Sequence, residues 1–283
     1  GRRFSISLAA FGGSVERRAR KVLINFATLK FYEAQQRNAE TARKVGGFDK
    51  VICYSRKDID PEFRRRNRSI LRGRIGAGYW LWKPYLIKRT LATLEEGDFL
   101  FYCDAGSHFI DRIDPLIEVA TRDQQPVIPF DLVFPERRNT KRDTFILMGC
   151  DAPRFTETSQ RQGGFILMRK SPFAQTFVDE FLALAQDARL ITNTPSRLGA
   201  EYPDFVAHRN DQSIFSLLTK RYGLDAYRDP SQFGNDQREQ HPNSTYGQLI
   251  DLTRSRMRRP VGFARAWWKR FRTRRDTASS VWR

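Results

Sequence analysis

The chain has 283 residues, 40% of them apolar, with 22 phenylalanines and a formal net charge of +18 at pH 7. That length supports one large or two modest domains, and the aromatic content supplies enough burial to exclude a disordered polyelectrolyte. The charge points to anionic partners, with nucleic acid, nucleotide phosphates and anionic lipid all qualifying.

In chain order, Val22-Leu23-Ile24-Asn25-Phe26-Ala27 reads as a first buried strand. Phe31 to Val45, rich in Ala, Gln, Glu and Arg, predicts a helix closed by Gly46-Gly47. Lys50 to Ser55 is a second strand, so the unit implies a parallel pair with a right-handed crossover. Asp58 to Arg74 is a basic, partly helical connection. Pro84 suits the first turn of a helix, and Ile87, Leu91 and Leu94 supply its buried stripe. Phe99 to Cys103 is a third strand, and Pro126 to Phe130 a short further one. Phe145 to Met148 and Phe165 to Met168 are two more apolar runs. Phe173, Phe177, Phe181 and Leu184 form the inner face of one helix, and Ile214, Leu217, Leu218 and Tyr222 that of another beginning at Asp211. Residues 191–205 and 228–246 read as loops. Alternating strands and helices predict one α/β domain over residues 1–251.

The remaining segment is distinct. Residues 252–283 hold eleven Arg/Lys and one acid, Asp276, which is +10 of the net charge. Phe263, Trp267, Trp268 and Phe271 recur there at helical spacing among arginines. This predicts a basic amphipathic helix that contacts an anionic membrane surface, the alternatives being a helix packed on its own domain or a disordered end. Cys53, Cys103 and Cys150 are far apart and odd in number, which argues against a disulfide framework and for a reducing, cytoplasmic location. No run of about 18 apolar residues predicts a spanning helix, and Gly1 begins no signal-peptide pattern.

Four clusters carry candidate chemistry. In Phe99-Leu100-Phe101-Tyr102-Cys103-Asp104-Ala105-Gly106 an apolar run ends in a carboxylate, where open α/β sheets bind ligands. Asp104 there can hold a divalent cation against a diphosphate, or simply cap a turn. His108, four residues on, is a candidate metal or phosphate ligand, or a plain loop residue. In Gly76-Ala77-Gly78-Tyr79-Trp80-Leu81-Trp82-Lys83-Pro84, Lys83 offers a point charge for a diphosphate, and Tyr79 or Trp82 a ring to stack on a base or sugar. The alternative places the tryptophans in the core. Gly163-Gly164 permits close backbone approach to a ligand, or makes an ordinary turn. In His208-Arg209-Asn210-Asp211-Gln212-Ser213, Asp211 is placed to position a hydroxyl, Gln212 lies beside it and Arg209 suits phosphate. Asp211 or Ser213 as a helix cap is the other reading of that cluster. The phosphate-loop, dinucleotide and nucleophile-elbow patterns are absent.

Taken together, the order Gly-Tyr-Trp-x-Trp-Lys-Pro, a strand ending Tyr-x-Asp-Ala-Gly, Gly-Gly-Phe and Asn-Asp-Gln-Ser resembles bacterial glycosyltransferases of the GT-A type, which build capsule, lipopolysaccharide or exopolysaccharide chains. The likeness covers roughly residues 22–227. It implies a single GT-A (Rossmann-like) domain with a mainly parallel central sheet and a basic C-terminal helical appendage. It also implies transfer of a hexose from a nucleotide-sugar donor, UDP-linked in the commonest case, to a glycan or lipid-linked glycan acceptor at the inner face of the cell membrane. Tyr102 to Gly106 resembles the family's Asp-x-Asp motif, which binds Mn²⁺ or Mg²⁺, but this chain keeps only Asp104 of the two aspartates. Asp211-Gln212 resembles the pair beside the sugar in retaining members. Those members also use a late histidine as a metal ligand, which makes His241 the C-terminal candidate beside Asp104 and His108. A nucleic-acid-binding protein and an inactive nucleotide-sugar-binding scaffold are the competing classes. The first lacks a supporting motif, so no nucleic acid is expected as a partner.

Overall fold

The computed structural model describes residues 17–252. The basic tail expected over 252–283, with the membrane contact assigned to it, lies outside the described residues apart from Leu252. Nine strands occur among the described residues: β1 Lys21–Phe26, β2 Lys50–Tyr54, β3 Phe99–Cys103, β4 His108–Phe109, β5 Val127–Ile128, β6 Asp131–Pro135, β7 Ser159–Arg161, β8 Phe165–Arg169 and β9 Ile250–Asp251. The central sheet has the order β2-β1-β3-β8-β5, with β4-β9 and β6-β7 as small flanking pairs. β1 runs parallel to both β2 and β3, and β8 runs antiparallel to β3 and β5. The result is an α/β fold with a mainly parallel central sheet in which β8 alone is reversed.

Alternation along the strands sorts the core into two layers. Val22, Ile24 and Phe26 of β1, Leu100 and Tyr102 of β3, and Ile166 and Met168 of β8 face one layer. The helices Trp82–Leu91, Pro172–Ala185 and Asp211–Arg221 pack on that side. Leu23, Phe99, Phe101, Cys103, Phe165 and Leu167 face the other, against the Asp114–Arg122 helix and Phe48, Phe109 and Tyr227. Strands buried on both faces read as near-continuous apolar runs, which is why β1, β3 and β8 were visible in the sequence.

Two elements differ from expectation. The helix expected around Pro84 begins at Trp82, two residues earlier, because the first turn of a helix makes no use of backbone N–H groups and tolerates proline there. The Phe145–Met148 run lies in the Arg142–Leu147 helix and its end, where one buried face absorbs the apolar residues. The expected stop after the first helix is present: Gly47 takes φ +73°, the left-handed conformation that glycine tolerates.

The topology also positions a crevice. The chain leaves β1 toward β2 on one side and leaves β3 toward the opposite half of the sheet, so the connection reverses direction between β1 and β3. Ligands bind open α/β sheets outside the carboxyl ends of strands at such a reversal. Asp104 is the first residue past that end of β3.

Candidate active site

Asp104 continues the alternation of β3 onto the face of Tyr102. The Tyr102 hydroxyl donates to Asp104 Oδ1 at 2.6 Å, and the Asp104 amide donates to Gly164 O at 2.8 Å. The turn behind it is clamped from the first βα unit. Asn38 Nδ2 donates to Ser107 O at 2.9 Å while its own Oδ1 accepts from Asn25 Nδ2 at 2.7 Å, and Gln35 Nε2 joins Asn25 Oδ1 at 2.9 Å. All three amides are buried. A satisfied buried network of this kind fixes backbone geometry rather than merely filling space.

The paired glycines are required by contact. A Cβ on Gly164 would sit 2.9 Å from Gln162 Oε1 and 3.2 Å from Asp104 Oδ2, and one on Gly163 would sit 2.9 Å from Gln212 Cβ. Gly163-Gly164 thus lets the segment entering β8 pass between Asp104 and the Asp211–Arg221 helix.

Lys83 and Asp211 form a buried ion pair, with Nζ 2.6 Å from Oδ2 and both side chains at most 4% exposed. Nζ also donates to Gly163 O at 2.7 Å and lies 4.8 Å from the centre of the Tyr102 ring. At this distance the contact with Asp211 is a direct ammonium–carboxylate pair. Burial pushes the Asp211 carboxyl up to about 6; Lys83 opposes the rise and nearby Asp104 adds to it. Removing two charges from water is costly, and a carboxyl displaced in this way marks a functional-site candidate.

Gln212 is locked beside Asp211. Its Oε1 accepts from the Gly163 amide at 3.0 Å, and its Nε2 donates to Gln160 Oε1 at 2.8 Å. Gln160 Nε2 in turn donates to Glu136 Oε1 at 2.9 Å, and Lys220 Nζ reaches Glu136 Oε2 at 2.7 Å. Asn210 precedes the helix with φ +53° and ψ −118°, a region costly for a residue with a side chain. Its Nδ2 donates to Ile191 O at 2.6 Å and Asn193 Oδ1 at 2.7 Å, which holds the kink that aims Asp211 inward. His208 is neutral and structural: burial drives it down to about 3, and its Nε2 donates to Leu190 O at 2.7 Å. Arg209 is half-buried, its amide donating to Asn139 O at 3.0 Å.

Six expected residues are therefore brought together: Lys83, Asp104, Gly163, Gly164, Asp211 and Gln212. Others are placed differently. Trp82 stacks on Phe26 with centroids 3.8 Å apart, and its Nε1 donates to Gly76 O at 2.9 Å; its ring belongs to the core rather than to a base or sugar. Tyr79 sits half-buried in a run, Gly76 to Trp80, in which all five φ angles are positive. Ala77, Tyr79 and Trp80 each accept a conformation that costs about 1–2 kcal/mol per residue with a Cβ.

The expected metal ligands are not assembled. His108 pairs across β4-β9 with Asp251, its Nε2 3.2 Å from Arg37, and His241 Nε2 lies 3.8 Å from Asp131 Oδ2. Each histidine is drawn to another partner, and among the described residues no group of three or more His, Cys, Asp or Glu side chains is arranged to hold a metal ion. Asp104 has one oxygen committed to Tyr102. The residues present do not fit the Asp104–His108–His241 site expected for Mn²⁺ or Mg²⁺.

Tyr102 stood ahead of Asp104 and Gln160 ahead of the paired glycines without a role of their own, and Asn25, Asn38, Glu136 and Lys220 were not singled out in the sequence. The three cysteines are free, with Cys103 and Cys150 buried, and among the described residues no helix is long and apolar enough to cross a membrane.

No family model and no curated protein matches the chain. Among solved structures it is similar to mouse xyloside xylosyltransferase 1, at 10% identity and a TM-score of 0.47, covering 86% of this chain and 99% of that one. It is similar to the galactosyltransferase LgtC in complex with donor and acceptor sugar analogs, at 12% identity and a TM-score of 0.48, covering 93% and 97% of the two chains. It is also similar to the glycosyltransferase GlyE of Streptococcus pneumoniae, at 13% identity and a TM-score of 0.44, covering 89% of this chain and 60% of that one.

Proposed function

We propose that this chain is a glycosyltransferase that moves a hexose from a nucleoside diphosphate sugar, UDP-linked, to a hydroxyl of a glycan or lipid-linked glycan in bacterial surface polysaccharide synthesis. The observation that carries the proposal is the buried Lys83–Asp211 pair next to Asp104 at the carboxyl end of β3. The donor and acceptor classes rest on the motif resemblance. The basic composition of residues 252–283 supports attachment to the inner face of an anionic membrane, where a lipid-linked acceptor is presented.

Rupture of the anomeric C–O bond leaves a diphosphate anion and an oxocarbenium-like sugar. Asp211, ionised above a pKa of about 6, faces the developing positive charge or takes the acceptor's proton. Lys83 works through Asp211: its ammonium is occupied by that carboxylate and by Gly163 O, so it keeps Asp211 charged rather than serving as the expected diphosphate ligand. Gln212, fixed on Gly163 and Gln160, orients the sugar. Asp104 meets the donor through Oδ2, and Arg209 remains the proposed phosphate contact. No step is assigned to a metal.

Nucleoside diphosphate released from UDP-hexoses, with and without glycan acceptors, is the test. Wild-type chain is expected to turn over donor, and Asp211→Asn to lower turnover by roughly 10²–10⁴-fold with an unchanged far-UV spectrum. Donor binding without turnover in the wild type would instead identify an inactive nucleotide-sugar scaffold. Retention on RNA by residues outside the tail would favour a nucleic-acid-binding protein.

A further inference from the structure

The surface carries a second feature that sugar transfer does not explain. The helices Pro61–Arg66 and Arg68–Leu71 run almost without a break, the Asn67 amide bonding to Phe63 O at 3.1 Å and the Leu71 amide to Asn67 O at 2.9 Å. Phe63, Asn67 and Ile70 form the buried stripe. Arg64, Arg68 and Arg72 lie four apart on the opposite side, with Arg65 between them and Arg74 just beyond, and all five are exposed. None of the five has an acidic partner among the described residues. Arg66, on the flank, is the one paired, 3.8 Å from Glu62. Like charges at i,i+4 repel by about 0.2–0.5 kcal/mol per pair, so the fold maintains a stripe that opposes its own helix. A neighbouring cavity of about 400 Å³ also has cations on its rim, Arg66, Lys88 and Arg89, but Lys88 is neutralised by Asp179 and Arg89 is tied to Asp58 O. The stripe is what remains uncompensated.

The stripe ends in an exposed apolar side chain. Ile75 follows Arg74 and is 43% exposed, where the chain turns into the left-handed run that leads to Lys83. A soluble polyanion satisfies arginines but offers nothing to an isoleucine. A bilayer interface satisfies both, with phosphate headgroups for the guanidinium groups and an acyl boundary for the apolar side chain.

We propose that Arg64, Arg65, Arg68, Arg72, Arg74 and Ile75 form a docking surface for an anionic lipid bilayer, separate from residues 252–283. This surface is carried by the segment that runs into the candidate active site. The inference does not depend on the sugar-transfer reading, because it concerns where the chain rests and not what it catalyses.

Vesicle sedimentation with the whole 283-residue chain tests it, with phosphatidylcholine vesicles compared with vesicles containing about 30% phosphatidylglycerol at about 0.15 M salt. The variants are the triple Arg64→Gln/Arg68→Gln/Arg72→Gln and the single Ile75→Ser. Each arginine near an anionic surface is worth roughly a five-fold gain in partitioning, so the triple variant is expected to lose roughly 100-fold on anionic vesicles. Whatever residues 253–283 contribute multiplies this factor when both segments engage one surface, so the loss stays visible. Ile75→Ser is expected to lose several-fold, and that loss persists in high salt because it is apolar. The urea midpoint of the triple variant is expected to equal or exceed wild type, since repulsion has been removed. Partitioning of the triple variant equal to wild type overturns the proposal. So does a triple variant that weakens heparin binding as much as vesicle binding while Ile75→Ser binds vesicles normally, which assigns the stripe to a soluble polyanion.

Discussion

Phe101 and Tyr102 are neighbours on one strand and are buried to the same degree, yet they serve opposite faces of the sheet. Phe101 points into an apolar cluster, stacked with Phe165 and edge-on to Phe109. Tyr102 points into a layer where its hydroxyl reaches Asp104, a lysine lies over its ring, and burial with the nearby carboxylates holds its phenol protonated. Past Tyr102 that layer also encloses Lys83, Asp211, Gln160, Glu136 and Lys220, all buried. The first face gains stability from apolar area. The second accepts desolvated charge, which is poor value for stability and is retained where chemistry needs it.

The contrast breaks most sharply at Lys83. Lys83→Met leaves the Asp211 carboxylate buried without a cation and is expected to cost about 3–5 kcal/mol in urea unfolding. It also removes the group that lowers the Asp211 pKa, so any remaining turnover shifts to higher pH. Phe101→Ala, on the opposite face, is expected to lose a similar 3–5 kcal/mol from its cavity but to leave the pH dependence of turnover in place. Tyr102→Phe, its counterpart, is expected to cost only about 1 kcal/mol while lowering turnover, because it releases Asp104. The smallest effects belong to the expected metal ligands. His108→Ala and His241→Ala are expected to keep turnover and its response to Mn²⁺ within about two- to three-fold of wild type, since neither histidine stands with Asp104. A ten-fold loss in either would restore the ligand set that the fold has dispersed.

β1, β3 and β8 were legible in the sequence because each is buried on both faces and reads as an apolar run. Asp104 was legible because it ends an apolar run, Gly163-Gly164 because paired glycines open one, and Asp211-Gln212 because they stand in a dense polar set ahead of an apolar helix. The pairing of Lys83 with Asp211 was not, since 128 positions separate them and no spacing rule links residues brought together only by packing of two helices on one sheet face. Lys83 therefore read as a ligand for substrate, whereas its ammonium lies 2.6 Å from Asp211 Oδ2 and donates to Gly163 O. The tryptophans misled for a related reason: a glycine-aromatic segment before a helix has the same composition whether its rings face a ligand or, as Trp82 does, the core. The left-handed conformation of Tyr79 and Trp80 has no signature of its own, because only the glycines beside them announce a positive φ. His108 was read from its place four residues past Asp104 and His241 from the family resemblance, and Asp251 and Asp131, which lie beside them instead, carry no motif.

The central claim is that Asp211, buried against Lys83, is the group whose charge drives transfer. Donor turnover measured from pH 4.5 to 8.5 tests it directly. The carboxylate forms as pH rises through about 6, so turnover is expected to climb through that point to a plateau, and Asp211→Asn is expected to abolish both the step and nearly all of the rate. An Asp211→Asn chain that keeps wild-type turnover and the same pH step would contradict the account.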